Sequence, residues 1–218
     1  MNPFVLLICI VPKEKSDFAI KASLENGASG ATVLLGRGTA SNKVLQILGL
    51  GSSEKDIVLT VVSIDKKDLV LSAIKKTYQS EKKGFGIVFV RNVNRKMQNG
   101  VVIQANCAIR EENPVESKKM ITVILNKGYA EDAMAAARAA GASGGTILNA
   151  MGTAKEGDEK FFGITIVPEK EMLLLIVDDS LLEKVFSAVQ NLPCLAQPGS
   201  GIIYSSDVSD FAMLGKIK

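Results

Sequence analysis

A glycine turn flanked by basic residues is the feature of this sequence best suited to binding chemistry. Gly84 and Gly86 are separated by one residue, Lys82 and Lys83 precede them, and Arg91 follows a short apolar run. Glycines lack a Cβ and adopt positive φ, so backbone N–H groups can converge on an anion there. A basic side chain beside such a turn adds charge-assisted hydrogen bonds, each worth about 1.5–3 kcal/mol when desolvated. The spacing therefore predicts a site for a small anion, phosphate above all.

A second glycine turn, at Gly199 and Gly201, has the same spacing but no basic residue beside it in the sequence. Two interpretations stay open for this turn. It could hold phosphate through its backbone, or it could be a tight entry into a strand that binds nothing. If only one of the two turns binds an anion, the lysines favour the first.

Several catalytic chemistries are excluded by composition. Histidine is absent, so the chain has neither an imidazole base nor a histidine ligand for zinc. The segment 141–145 fits the G-x-S-x-G pattern of serine hydrolases, but that motif needs a preceding strand, a following helix and a histidine. We therefore predict a protein that is not an enzyme and has no metal site or resident cofactor. An enzyme that uses carboxylates or lysines is the alternative, although no convergent pair is recognisable.

Length and composition indicate a globular protein. The chain has 218 residues, of which 47% are hydrophobic, enough for one large domain or two of about 100 residues. No apolar run reaches the roughly 18 residues of a spanning helix, and the N-terminus lacks the pattern of a signal peptide. The three widely spaced cysteines, Cys9, Cys107 and Cys194, are typical of buried side chains in a reducing compartment. We expect a cytoplasmic protein that is not integral to a membrane.

The net charge of +3 is unevenly distributed along the chain. Residues 1–109 carry 15 basic and 8 acidic residues, whereas residues 110–218 carry 11 basic and 15 acidic residues. This asymmetry fits either an anionic partner of the first half or attraction between the two halves. Nucleic acid is not an expected partner, because no basic run is interleaved with aromatic residues.

The chain contains an internal repeat at an offset of 114 to 115 residues. The segments Asp17–Ala40 and Glu131–Ala154 share 11 identities in 24 positions, and the glycine turns at 84–86 and 199–201 remain in register after a one-residue insertion. Chance similarity would not keep register over a hundred residues. We interpret the chain as a tandem duplication, with domains at 1–95 and 118–218 and a polar linker at 96–117. The apolar residues Val101–Ile103 within the linker could add an edge strand.

Each copy has the pattern strand, helix, strand, strand, helix, strand. Apolar β-branched runs predict the strands, and helical spacing of Ala and Leu predicts the helices. Gly27 and Gly141 follow the first helices, where a left-handed residue ends a helix, and Asp65 and Asp179 are candidate N-caps of the second helices. The predicted fold class is α+β, with two tandem ferredoxin-like (β-α-β-β-α-β) domains whose antiparallel sheets carry both helices on one face. The predicted elements are Phe4–Val11, Ser16–Glu25, Thr32–Leu35, Ile57–Ile64, Leu69–Tyr78 and Ile87–Val90 in the first copy, and Met120–Leu125, Ala130–Ala140, Thr146–Leu148, Met172–Val177, Leu181–Leu192 and Ile202–Tyr204 in the second.

The second copy resembles the P-II nitrogen regulatory proteins. The resemblance covers nearly all of residues 118–206, and the first copy is a more diverged version, with Gly36–Ala40 as its clearest signature. It implies a non-enzymatic signalling module of ferredoxin-like fold that assembles into a homo-oligomer. Such modules bind adenine nucleotides between subunits and regulate an enzyme or transporter. The residues that carry the resemblance are Asn126–Tyr129, Ala140–Leu148, Met151–Ala154, Glu159–Ile164, Pro168–Glu171 and Pro198–Ile202.

The resemblance also implies which residues bind a ligand. Thr32 and Thr146 match a position near the adenine, Gly38 and Gly152 match the base of a loop that senses the ligand, and the two glycine turns match the segment that holds phosphate. Arg37, beside that loop, joins Lys83 and Arg91 as a candidate cation. The expected ligand is a small anion, with an adenine nucleotide as a regulatory ligand rather than a cofactor.

The loops at 37–55 and 151–170 depart from the family pattern. They contain no tyrosine, and they include apolar residues such as Phe161 and Phe162. An apolar loop is typical of a packed segment or of a surface that docks a partner. The alternative function is therefore a structural or interaction module that binds no ligand and docks a partner through these loops.

Overall fold

The computed structural model describes residues 4–39, 53–93, 95–98, 101–104, 118–152, 160–161, 164–165, 169–196 and 200–216. The chain divides into two compact units. Unit 1 comprises Met1–Leu35, Glu54–Lys118 and Asp207–Lys218, and unit 2 comprises Gly36–Ser53 and Lys119–Ser206. Both combine antiparallel strands with helices, so the protein is of the α+β class. No helix in the described part of the chain is long and apolar enough to cross a bilayer.

Unit 1 is built around its first strand. The order of its strands is β2, β3, β1, β4, and residues 207–214 of the last strand of the chain, β12, lie beside β4. β1 is antiparallel to both neighbours, with Ile10 opposite Ile57 on one side and Ile87 on the other. Its elements are β1 (Phe4–Pro12), α1 (Ser16–Glu25), β2 (Thr32–Gly38, of which 32–35 belong here), β3 (Ser53–Ser63), α2 (Ile64–Thr77) and β4 (Gly86–Val93).

The core of unit 1 lies between the sheet and its two helices. Alternate residues of β1 belong to it, as expected of a strand whose side chains point to opposite faces. Small residues of α1 and aliphatic residues of α2 complete it, and each fully buried aliphatic side chain contributes about 1.5–3 kcal/mol. The principal members are Val5, Leu7, Cys9, Val11, Ala19, Ala22, Val70, Leu71, Ile74 and Tyr78.

Unit 2 repeats this arrangement. Its strands have the order β8, β11, β7, β12, and Gly36–Gly38 of β2 pair with β8. Alanines line the buried side of its first helix and let that helix pack closely. Two 3-10 turns, Asp179–Leu181 and Pro193–Leu195, flank the second helix. The main elements are β7 (Lys118–Asn126), α3 (Ala130–Ala139), β8 (Gly145–Met151), β11 (Glu169–Asp178), α4 (Leu182–Gln190) and β12 (Gly201–Leu214).

Two small hairpins lie outside the main sheet. β5 (Arg95–Gln98) pairs with β6 (Val101–Gln104), and β9 (Lys160–Phe161) pairs with β10 (Ile164–Thr165). The predicted strand at Val101–Ile103 therefore forms, but it pairs with β5 instead of adding an edge to the larger sheet. The predicted linker at 96–117 consequently includes a hairpin.

The structure corrects three features of the predicted elements. α2 begins at Ile64 with Ser63 at its N-cap, so Asp65 lies in the first turn instead of capping it. Asp179 likewise lies inside a 3-10 turn, preceded by Asp178 at the cap position. The last strand extends to Leu214, ten residues beyond the predicted end, because β4 provides backbone partners for its second half. The left-handed glycines are confirmed, with φ of +104° at Gly27 and +113° at Gly141.

Candidate functional site

The first glycine turn joins α2 to β4 in unit 1. Gly84 has a φ of +72° and open space around it, so this position uses the conformational freedom of glycine. Gly86 is needed for another reason, because a Cβ there would collide with the carbonyl oxygen of Ile10 on β1. The turn is held by the amide of Phe85, which donates to the carbonyls of Lys82 and Leu214, both at 3.1 Å.

Two exposed lysines flank this turn. Lys82, Lys83 and Gly84 are exposed. Among the described residues, the amides of Lys83 and Gly84 donate to no acceptor, and neither lysine forms an ion pair. Arg91 is five residues beyond Gly86 on β4, or about 16 Å along an extended strand. The structure therefore brings Lys82, Lys83, Gly84 and Gly86 together and places Arg91 elsewhere.

The second glycine turn leads into β12 in unit 2, and Gly199 lies outside the described residues. Gly201 is again explained by packing, because a Cβ there would lie 2.5 Å from the carbonyl oxygen of Ile124 on β7. A basic residue does lie close to this turn. The ammonium of Lys170 donates to Asn126 Oδ1 at 2.6 Å and to the carbonyl of Ser200 at 3.5 Å. Sequence reasoning missed this lysine because it lies thirty residues away along the chain.

A third group of predicted residues meets where β2 and β8 pair in unit 2. Gly38 lies opposite Thr146, and both are buried. The half-buried guanidinium of Arg37 forms ion pairs with Glu131 and, at 3.4 Å, with Glu171. Arg37 is therefore already occupied by carboxylates.

The two remaining predicted residues lie apart from this group. Thr32 is exposed at the start of β2 in unit 1, and Gly152 is half-buried just beyond the end of β8 in unit 2.

Buried carboxylates hold the first helix of each unit. In unit 2, Glu171 Oε2 accepts from the amides of Gly128 and Ala130 at 3.0 and 3.1 Å. In unit 1, Asp56 Oδ2 accepts from the amide of Glu14 at 2.9 Å and from the hydroxyl of Ser16 at 2.7 Å. Both acids stand at the same position of the repeat and favour the helix start through charge-assisted hydrogen bonds.

In the sequence, each of these acids is the last charged residue before the apolar part of its strand, and the two recur at the repeat offset of 115 residues.

The remaining buried ionisable groups are structural. Burial raises the pKa of the Cys9 thiol to about 12, so this thiol stays protonated at neutral pH. The hydroxyl of Tyr78 donates to the carbonyl of Lys15 at 2.5 Å and accepts from the amide of Ala19 at 3.1 Å, and burial raises the pKa of that phenol. Cys194 is half-buried, and Cys107 lies outside the described residues. In the part of the chain that is described, no group of three metal-ligating side chains occurs.

Comparison with known proteins finds a family match for the second half of the chain. The family model for nitrogen regulatory protein P-II matches residues 118–216. Residues 118–216 thus match a P-II domain. A search of curated proteins finds no match. The assignment confirms the family resemblance of the second copy, and the strand order β12, β7, β11, β8 agrees with the ferredoxin-like fold of that family. P-II proteins are regulatory.

The P-II domain and unit 1 share contacts at corresponding positions. Lys127 pairs with Glu169 at 2.7 Å in the P-II domain, and Lys13 pairs with Glu54 at 2.9 Å in unit 1. In both, the amide of the lysine also donates to the carbonyl of the same glutamate at 3.1 Å. The ligand-binding roles of Thr32, Arg37, Gly38, Lys83, Gly84, Gly86, Arg91, Thr146, Gly152, Gly199 and Gly201 stay predictions.

Proposed function

We propose that this chain is a tandem P-II-like regulator, in which unit 1 is a diverged second copy of the P-II domain. It binds a small anion, an adenine nucleotide above all, through the phosphates at the first glycine turn. The bound state then controls a partner enzyme or transporter, with nitrogen metabolism as the expected context. In this proposal the protein acts as a cytoplasmic homo-oligomer without catalytic activity.

The duplication is supported by contacts that recur at the repeat offset. Lys13–Glu54 corresponds to Lys127–Glu169, and Asp56 corresponds to Glu171. Even the backbone agrees, because Glu14 adopts a φ of +65° where the P-II domain has Gly128 at +99°. A non-glycine residue rarely adopts this conformation. Its presence at the matching position favours common descent over chance similarity.

Anion binding is supported by the electrostatics of the first turn, and this observation carries the ligand proposal. Two exposed lysines and two amides without an acceptor among the described residues surround Gly84. Groups of this kind interact favourably with phosphate oxygens, and the open space around Gly84 leaves the approach clear.

Isothermal titration of the purified full-length protein tests the ligand. ATP should bind with saturable heat, and Lys83→Ala should weaken binding by about 1.5–3 kcal/mol, roughly 10- to 150-fold. Lys75→Ala is the matched control, since this lysine is exposed on α2 and lies seven residues before Lys82 in the sequence. A flat titration with ATP, ADP and AMP would refute the nucleotide proposal.

The interaction module without a ligand remains the second candidate, and one observation favours it. Val33, Leu34 and Leu35 on β2 expose 38%, 38% and 69% of their surface, and three consecutive apolar residues so exposed form an apolar surface patch. The sequence predicts Phe161 and Phe162 as docking residues, but the structure does not describe their side chains. Capture of a partner that is lost in Leu35→Ser but unaffected by ATP would favour this candidate.

A further inference from the structure

We infer that Lys55 is a third cation of the anion site in unit 1, and that it makes the site selective for a polyphosphate over a single phosphate. The inference rests on the proposed function, because it adds a residue and a specificity to the same glycine turn. Lys55 lies on β3, remote from the turn in sequence.

The corresponding lysine of unit 2 shows where such a side chain reaches. Lys170 occupies the same position of the repeat, and its ammonium donates to Asn126 Oδ1 at 2.6 Å and to the carbonyl of Ser200 at 3.5 Å. Ser200 belongs to the second glycine turn. A lysine at this position of the third strand therefore extends to the glycine turn and is held by the amide side chain that ends the first strand.

Unit 1 lacks that holding group. The residue corresponding to Asn126 is Pro12, which has no side-chain acceptor. Lys55 lies directly opposite Pro12 in the pairing of β1 with β3. Among the described residues Lys55 has no hydrogen-bond or ion-pair partner for its ammonium, although the side chain is half-buried. The exchange of asparagine for proline thus leaves this cation available to a ligand.

β1 places Lys55 and the glycine turn at the same end of the sheet. Pro12 faces Lys55 on one side, and Ile10 faces Ile87 on the other, directly after the turn. Burial, together with repulsion from the nearby ammonium of Lys82, lowers the pKa of Lys55. Two like charges held close together with no anion between them are unfavourable, and a bound anion would relieve the repulsion.

Three cations around one turn favour a ligand with several negative charges. A single phosphate group could meet the lysines at the turn and the free amides, whereas a chain of phosphates could also reach Lys55. We therefore expect affinity to rise from AMP to ADP to ATP, and we expect Lys55 to contribute mainly to the gain in affinity from ADP to ATP. The affinity of unit 2 should not depend on the number of phosphates in this way, because Asn126 already accepts a hydrogen bond from Lys170.

Calorimetric titration of the full-length protein with ATP and with inorganic triphosphate tests the inference. Lys55→Met keeps the apolar stem of the side chain and removes its charge. It should weaken the binding of ATP and of triphosphate at least tenfold while changing the affinity for AMP less than threefold. Pro12→Asn supplies the acceptor found in unit 2 and should weaken ATP binding by several-fold. Lys75→Ala should bind ATP like the original protein.

The outcomes separate this inference from the proposed function. If ATP binds and Lys83→Ala weakens it but Lys55→Met does not, Lys55 is not part of the site and only the inference fails. If triphosphate binds as tightly as ATP and both depend on Lys55, the inference holds and the adenine preference fails. If neither probe binds, both fail.

A spectroscopic measurement covers the case in which a variant does not fold. In the original protein with 13C-methylated lysines, the Lys55 resonance should titrate at a lower pH than an ordinary lysine side chain does. Triphosphate should raise the titration midpoint of Lys55, and an unchanged midpoint in the presence of bound triphosphate would overturn the inference.

Discussion

Replacing Glu171 with glutamine tests whether the buried carboxylate of the P-II domain stabilises its fold. Glu171 is 6% exposed and accepts from the amides of Gly128 and Ala130, while its other oxygen pairs with Arg37. A charge-assisted hydrogen bond contributes about 1.5–3 kcal/mol, against about 0.5–1.5 kcal/mol for a neutral one. The two amide bonds therefore each weaken by about 1 kcal/mol, and losing the longer contact with the partly exposed guanidinium costs about 1 kcal/mol more. We expect a total loss near 3 kcal/mol.

The matched change in unit 1 is Asp56→Asn. Asp56 accepts from the amide of Glu14 and the hydroxyl of Ser16, and no arginine contact is described for it. Its expected cost is about 2 kcal/mol, so Glu171→Gln should be the more destabilising by about 1 kcal/mol. That difference isolates the contribution of Arg37.

Urea denaturation followed by circular dichroism measures both free energies of unfolding. A double-mutant cycle with Arg37→Met should give a coupling near 1 kcal/mol between Arg37 and Glu171. A loss below about 0.5 kcal/mol for Glu171→Gln would refute the reasoning, since such a value is typical of a surface substitution. Equal losses for Glu171→Gln and Asp56→Asn would refute the role given to the guanidinium.

Three further predictions concern unit 1. Gly86→Ala should lower the free energy of unfolding by about 1–3 kcal/mol because its Cβ meets backbone, whereas Gly30→Ala, with open space around it, should cost less than about 0.5 kcal/mol in the same urea titration. The Cys9 thiol has its pKa raised from 9.0 to about 12, so the unfolded chain loses this proton first. The free energy of unfolding therefore falls as pH rises above 9, by up to about 1.4 kcal/mol per pH unit. Relative to the original protein, Cys9→Val should be more stable at pH 10.5 than at pH 7, and an equal difference at the two pH values would contradict this. Asp210 has a φ of +50° and pairs with Lys67 at 2.9 Å, so thermal melts should show Asp210→Ala to be less stable than Asp210→Asn, which tolerates that φ.

The repeat and the apolar periodicity predicted most of the elements. The helix at Ser16–Glu25 has the predicted bounds, and Gly27 ends it in the predicted conformation. Periodicity did not predict which side of α1 is buried, because Phe18 and Leu24 are 53% and 46% exposed and the helix packs through its small residues instead. Small residues give a weak hydrophobic signal even where they decide how closely a helix approaches a sheet.

Site contacts were harder to predict because they join residues distant in sequence. The lysines beside Gly84 were recognisable by adjacency, but Lys170 reaches the second turn from another strand. Arg37 was a candidate ligand-binding residue because it is a cation beside a predicted loop. Its pairing with Glu131 and Glu171 depends on the register of β2 against β8. The register between Gly38 of β2 and Thr146 of β8, which lie far apart in the sequence, is set by tertiary packing, which local sequence patterns do not encode.

The long last strand has a consequence for how this protein can be divided. Residues 201–206 of β12 belong to unit 2 and residues 207–214 to unit 1, where they lie beside β4 and end against the glycine turn through the contact of Phe85 with Leu214. A fragment ending at residue 95 would leave β4 with an unpaired backbone edge, a form prone to aggregate. The end of β12 thus supports the candidate anion site around Gly84, so removing residues 207–216 should weaken ligand binding.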